Sequence, residues 1–135
     1  MAVTKNKGDL GEAMVMADAL RRGHKVAIPF GEDWPYDLIV LREGRLERVQ
    51  CKYVESRDGK IIVPCRSCNN WRTKKYGKDD VDWIACYDKT TDTCYYISSD
   101  ILGDGRNCIV LRVGNGKGKQ AANKTIRRAE DYLMF

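Results

Sequence analysis

The sequence predicts a mixed α/β domain on three observations. Apolar residues fall at helical spacing near the start of the chain, strand–turn–strand patterns follow twice, and 43% apolar residues in 135 suffice for one buried core. Residues 8–22 read as a helix, because Leu10, Ala13, Met14, Ala17 and Leu20 recur at its period. Gly23 then supplies a C-terminal stop. Lys25–Ile28 is a short strand ended by Pro29, and Phe30–Pro35 is a loop. Tyr36–Arg42 and Arg45–Tyr53 form a hairpin about the Glu43-Gly44 turn. Lys60–Val63 is a further strand, stopped by Pro64, and Cys65–Asp80 is polar, basic and irregular. Asp82–Tyr87 and Cys94–Ser98 form a second hairpin around Lys89-Thr90-Thr91-Asp92. Cys108–Val113 is the last strand, Gly114, Gly116 and Gly118 mark a loop, and Ala121–Leu133 reads as a final helix.

The length suits one domain over residues 1–135. No apolar run approaches the ~20 residues that cross a bilayer. Met1–Gly11 lacks the apolar core of a secretion signal. These features point to a cytoplasmic protein and away from membrane, secreted and disordered classes. The net charge is +5, and it is unevenly placed. Residues 1–100 hold 17 basic and 16 acidic side chains, whereas 101–135 hold 7 and 3. Arg112, Lys117, Lys119, Lys124, Arg127 and Arg128 follow one another with no acid between them, a run suited to a phosphate backbone or to a solvated face. The six cysteines are Cys51, Cys65, Cys68, Cys86, Cys94 and Cys108, and without a secretory signal they read as reduced thiols. Cys65-x-x-Cys68 has the form of half a zinc knuckle. Its second half would be Cys86 and Cys94, with seven residues between them, which is loose for a structural zinc. The reading is therefore against structural zinc.

The first hairpin carries the chemistry. Alternate strand residues share a face, so Asp37, Ile39 and Leu41 point one way, and Gln50 and Lys52 point together on the next strand. A two-residue turn at Glu43-Gly44 sets Arg42 opposite Arg45, and counting back sets Asp37 opposite Gln50. An acid, an amide and a lysine thus converge at one end of the hairpin. Such a set suits phosphodiester hydrolysis. A carboxylate can hold Mg²⁺, the metal can polarise the phosphate and activate a water, and a lysine can orient that water or stabilise the transition state. Gln50 can offer an amide oxygen, and Glu12 adds a second carboxylate if the first helix crosses the hairpin. The plain alternative is an exposed Asp37–Lys52 ion pair and a Glu12 on the solvated side of its helix.

Gly11-Glu12, Pro35-Tyr36-Asp37 and Gln50-Cys51-Lys52 stand in that order along the chain. Together they resemble the PD-(D/E)XK nuclease superfamily, most nearly its small endonucleases associated with group I introns. Those enzymes are similar in using Gln-x-Lys where most of the superfamily has Asp- or Glu-x-Lys. The likeness continues through Cys65-Arg66-Ser67, Asp80-Val81-Asp82-Trp83 and Ile126-Arg127-Arg128-Ala129-Glu130-Asp131-Tyr132, so it covers nearly the whole chain. The resemblance implies a restriction-endonuclease-like fold, a central mixed sheet flanked by helices. It implies divalent-metal-dependent DNA cleavage with Mg²⁺, for which Mn²⁺ can substitute, and a homo-oligomer, dimer or tetramer, on duplex DNA. By motif match Glu12, Asp37, Gln50 and Lys52 are catalytic, and Asp37, Gln50 and Glu12 bind metal. Gln50 removes one negative charge, so metal affinity is expected to be weaker unless Glu12 compensates.

Arg66, Ser67, Asn69, Asn70, Trp71, Arg72, Lys74 and Lys75 mix cations, amides and an aromatic, the side chains that read base edges and hold phosphates. Cys65–Lys78 is therefore expected to contact DNA, with a structural loop anchored by Trp71 as the alternative. Lys117 and Lys119 are expected at phosphates. The leading function is a site-specific, homing-type endonuclease. A Holliday-junction resolvase is the second reading, because archaeal resolvases look similar in the N-terminal half. A DNA-binding module with a decayed site is the third. Gln50 and the C-terminal motif favour the first, and a retained Lys52 with Asp37 argues against the third.

Overall fold

The computed structural model describes residues 2–69, 72–114 and 126–135, with the side chains of 2–4, 67–69 and 72–73 left aside. Helix α1 (Ala2–Arg21) begins earlier than its apolar period predicts. Its end matches expectation. Gly23 takes φ +85°, its N–H donates to the Leu20 carbonyl, and the His24 N–H donates to the Ala19 carbonyl. The buried stripe differs from the predicted one: Gly11, Val15 and Ala19 face inward, while Leu10 and Leu20 stand exposed. The reason is a close crossing. A Cβ at Gly11 would sit 3.1 Å from the Tyr53 Cβ and 3.3 Å from its Cα, so small residues line the contact.

Among the described residues ten strands follow: β1 (Lys25–Ala27), β2 (Leu38–Arg42), β3 (Arg45–Val54), β4 (Lys60–Pro64), β5 (Arg66–Asn69), β6 (Arg72–Lys75), β7 (Trp83–Asp88), β8 (Thr93–Ser98), β9 (Cys108–Arg112) and β10 (Arg127–Arg128). The central sheet runs β1-β2-β3-β7-β8. It is mixed, with β3 and β7 parallel and its other neighbours antiparallel. Glu43 and Gly44 take φ +52° and +77°, the left-handed pair a tight hairpin needs, and Arg42 lies opposite Arg45 as predicted. A smaller sheet, β10-β9-β4, packs on the far side from α1.

Two apolar clusters therefore sandwich the central sheet. Val15, Ala19, Leu38, Val40, Val49, Ala85 and Tyr96 fill the α1 side. Ile61, Val63, Ile84, Ile97, Ile109 and Leu111 fill the other. Cys51, Cys65, Cys86 and Cys94 are buried free thiols, and Cys108 is an exposed one. Burial raises the thiol pKa values of these four. At the far end of β7, fully buried Asp88 gathers five donors: Ser56 N–H and hydroxyl, Thr90 N–H, and Thr91 N–H and hydroxyl.

Two expectations are corrected. The stretch 65–80 is not irregular, for β5 and β6 pair as an antiparallel hairpin. Their residues are almost all polar, so no apolar alternation marks them in the sequence. The final helix is also absent over 126–133. Arg127 and Arg128 pair in parallel with Leu111 and Arg112, and only a short 3₁₀ turn, Ala129–Tyr132, follows. Pairing with β9 and burial of Ala129 override the local helical pattern. Residues 121–125 of that predicted helix lie outside the described residues.

Candidate active site

The hairpin register decides the geometry. Leu38 pairs with Val49, and the Asp37 N–H donates to the Val49 carbonyl at 2.9 Å. The turn counting expects Asp37 opposite Gln50, but the regular pairing ends at Leu38, and Asp37 stands beside it against Val49, one position short of Gln50. The Cys51 N–H returns a bond to Asp37 Oδ2 at 3.0 Å, so the carboxylate is clamped to β3 from both its backbone and its side chain. Gln50 is buried, and its Nε2 lies 3.5 Å from the Cys51 carbonyl.

Gly11 brings α1 close to β3, and Glu12 is the next residue along. Glu12 and Asp37 line one pocket of about 260 Å³ together with Ile28, Pro29, Gly31, Asp33, Trp34 and Tyr36. Burial, and then the Asp37 charge, push the Glu12 pKa above its ordinary value. Burial also pushes Asp37 up, against the opposing pull of the Cys51 N–H and the Lys52 charge. The two acids therefore feel each other in a partly dehydrated site, the electrostatic setting that a cation relieves.

Lys52 extends from β3 to the start of β5. Its Nζ donates to the Arg66 carbonyl at 3.2 Å and sits 5.2 Å from the centre of the Tyr76 ring. Tyr76 is buried at the base of the β5–β6 hairpin, where its N–H donates to the Cys65 carbonyl. The hairpin thus positions the ammonium. Sequence reasoning missed this support, since a main-chain acceptor leaves no mark in residue types. It also missed Asp33, a third acid at the pocket, held in the left-handed region at φ +65°.

The residues expected at DNA divide. Arg66 lies opposite Lys75 and Ser67 opposite Lys74, so β5 and β6 present a basic ribbon. Lys74 is paired with Asp80 at 3.1 Å. Asn69 and Arg72 are opposed at the end of the ribbon. Asn70, Trp71, Lys117 and Lys119 lie outside the described residues.

A metal ion can be tested against the donors. Among the described residues no three His, Cys, Asp or Glu side chains gather into a metal cage. Two carboxylates and an amide oxygen are the set of hard donors that suits Mg²⁺, which keeps several waters and takes one or two carboxylates. The donor chemistry therefore fits.

A mixed sheet that carries Asp37, Gln50 and Lys52 at one end of a hairpin, with a helix bringing Glu12 to the pocket of Asp37, is compatible with phosphodiester hydrolysis. A family model for PD-(D/E)XK endonuclease matches residues 2–135, and the chain belongs to that family. The solved structure of a bacterial homing endonuclease, I-Ssp6803I, aligns with a TM-score of 0.70 at 23% identity, covering 96% of this chain and 87% of that one. The likeness bears on the fold, which is restriction-endonuclease-like. No curated protein matches the sequence.

Proposed function

We propose that this nuclease is a divalent-metal-dependent endonuclease that cuts duplex DNA at selected sites in the manner of a homing enzyme. The observation that carries the reading is the Asp37 carboxylate held on the Cys51 N–H, between Gln50 and Lys52 in the chain, in one pocket with Glu12. The structural neighbour is itself described as a homing endonuclease, and that supports the choice among nuclease types. Asp37, Glu12 and the Gln50 amide oxygen would hold the metal, with Mg²⁺ the expected ion. When bound, such an ion polarises the scissile phosphate and lowers the pKa of a water. The chain's own groups do the rest. Asp37, fixed by the Cys51 N–H, orients the reacting end of the hairpin. Lys52, poised on the Arg66 carbonyl, supplies a positive charge for the phosphorane. The Arg66–Lys75 ribbon takes the flanking backbone. A homo-oligomer supplies one site per strand, because one chain carries one such site and a duplex has two strands.

The test is cleavage of a randomised duplex library in Mg²⁺, read by sequencing the new ends, beside a four-way junction. Discrete duplex cuts that vanish in EDTA are expected. Lys52→Ala should slow them by about 10² to 10³-fold, the usual cost of a lost transition-state charge contact. Cutting confined to the junction, or cutting undiminished by Lys52→Ala, would sink the reading.

A further inference from the structure

We propose that the outer face of the β4–β9–β10 sheet is a second DNA-backbone contact, a strip of four cations that holds duplex flanking the cut. Register builds the strip. Asp58 and Gly59 turn the chain with φ +52° and +73°, which places Arg57 opposite Lys60. Lys60 lies opposite Arg112, and Arg112 opposite Arg128. The turn is fixed to β9, since the Val113 N–H donates to the Gly59 carbonyl at 2.8 Å. Opposed residues share a face. Ile61, Val63, Ile109 and Leu111 point inward at 0–1% exposure, so this row points out, beside exposed Ile62 and Val110. At the usual spacing of about 4.8 Å between strands, the four cations span about 14 Å.

Like charges directly opposed across a sheet destabilise it. At the β2–β3 turn this protein offsets them: Arg42, opposite Arg45, bonds Glu47 at 2.6 Å and lies 3.7 Å from Glu43. Among the described residues none of Arg57, Lys60, Arg112 and Arg128 makes an ion pair. The acids nearby are Asp58 in the turn, Glu130, which shares a pocket with Arg112 and Arg128, and Glu55, which is bonded to Lys7 at 2.9 Å and also feels the Arg57 charge. Lys60, Arg112 and Arg128 keep their mutual repulsion, and a polyanion laid along the row would relieve it.

Position makes the strip distinct from the catalytic pocket. From Lys60 the chain runs along β4 to Pro64 and on to Arg66, the first residue of β5, whose carbonyl holds Lys52. Six residues at about 3.3 Å each set the strip at most about 20 Å from Arg66. At 3.4 Å per base pair, that is within about six base pairs of the cut. The choice of duplex DNA as the ligand rests on the function proposed above.

The experiment measures binding of a 40-base-pair duplex of mixed sequence in EDTA across a NaCl series, by fluorescence anisotropy on the full chain. Each phosphate contact contributes about 0.9 to the slope of log K against log salt. Arg112→Gln and Arg128→Gln should each lower the slope by about 1, the double variant by about 2, and Arg112→Lys should leave it unchanged. Lys89→Gln, on the exposed β7–β8 turn, is the control for net charge. Unchanged slopes in variants that keep the wild-type melting curve would overturn the strip. So would a change in sedimentation with no change in slope, which would make the row a contact between copies. Wild-type cleavage with unmoved slopes removes the strip alone, whereas moved slopes without any cleavage remove the catalytic reading alone.

Discussion

Asp37 and Asp88 are both acids drawn in beside β3, and the protein treats them in opposite ways. Asp88 is fully buried, yet its hydrogen bonds with Ser56, Thr90 and Thr91 run from 2.7 to 3.3 Å. Burial alone would raise its pKa, but the bonds from Thr91, Ser56 and Thr90 outweigh it and hold the carboxyl below its ordinary range. Asp37 is only partly buried and accepts one bond, from the Cys51 N–H, and burial carries its pKa upward. The first acid has spent its acceptor capacity on the fold and ties two loops to β7. The second keeps capacity in reserve beside another acid. A carboxylate that gains little from the folded chain is the one available to a ligand.

The comparison is broken most sharply at the chemistry. Asp37→Asn keeps an acceptor for the Cys51 N–H but removes the charge, and it should lower the cleavage rate at least ~10³-fold, about 4 kcal/mol in activation free energy. A variant that still cuts at a tenth of the wild-type rate would show that Asp37 is not the metal carboxylate. Next in size is Asp88→Ala, expected to cost about 3 kcal/mol in urea unfolding, because three backbone N–H groups and two hydroxyls lose a charged acceptor. This loss should follow pH. A depressed carboxyl stabilises above its unfolded pKa, and that stabilisation disappears as pH falls through the folded one, so wild type and variant should converge in acid. A gap independent of pH would mean that Asp88 acts by shape alone. The smallest effect is the stability of Asp37→Asn in EDTA. A carboxyl with a raised pKa favours the folded state only while protonated, so at neutral pH its removal should raise the melting temperature by a few degrees at most, the shift expected of ~0.5 kcal/mol. A fall would show that Asp37 supports the fold as Asp88 does.

Much of this was legible in residues 36–53. The turn type follows from Glu43-Gly44 and the register from Arg42–Arg45 to Leu38–Val49 follows from the turn, but the one-residue slip at Asp37 leaves no mark in the residue types. The same reasoning failed where pairing is long-range. Arg127 and Arg128 read as helix because their strand partner, β9, lies some fifteen residues back across residues outside the described set. The hairpin at 66–75 has no apolar alternation to reveal it, since its strands are held by backbone bonds and by Cys65 and Tyr76 at their base. The helix face was misread for a third reason. Hydrophobic content favoured Leu10 and Leu20, but the close approach at Gly11 selects for small size. The Lys52 anchor depends on a carbonyl, which every residue carries.

The bonds from the Cys51 N–H to Asp37 and from Lys52 to the Arg66 carbonyl each join residues 14 apart, on opposite sides of β3 in the chain. The Arg48–Asp82 bonds, which accompany the parallel pairing of β3 with β7, join residues 34 apart. Loop closure grows only as the logarithm of length, so the longer closure costs about 0.8 kcal/mol more than either short one. Assembly of the site is thus two short loops drawn onto a single strand. In the order in which a folding chain gains contacts, the placement of Asp37 and Lys52 belongs with the local events rather than with the closing of the sheet.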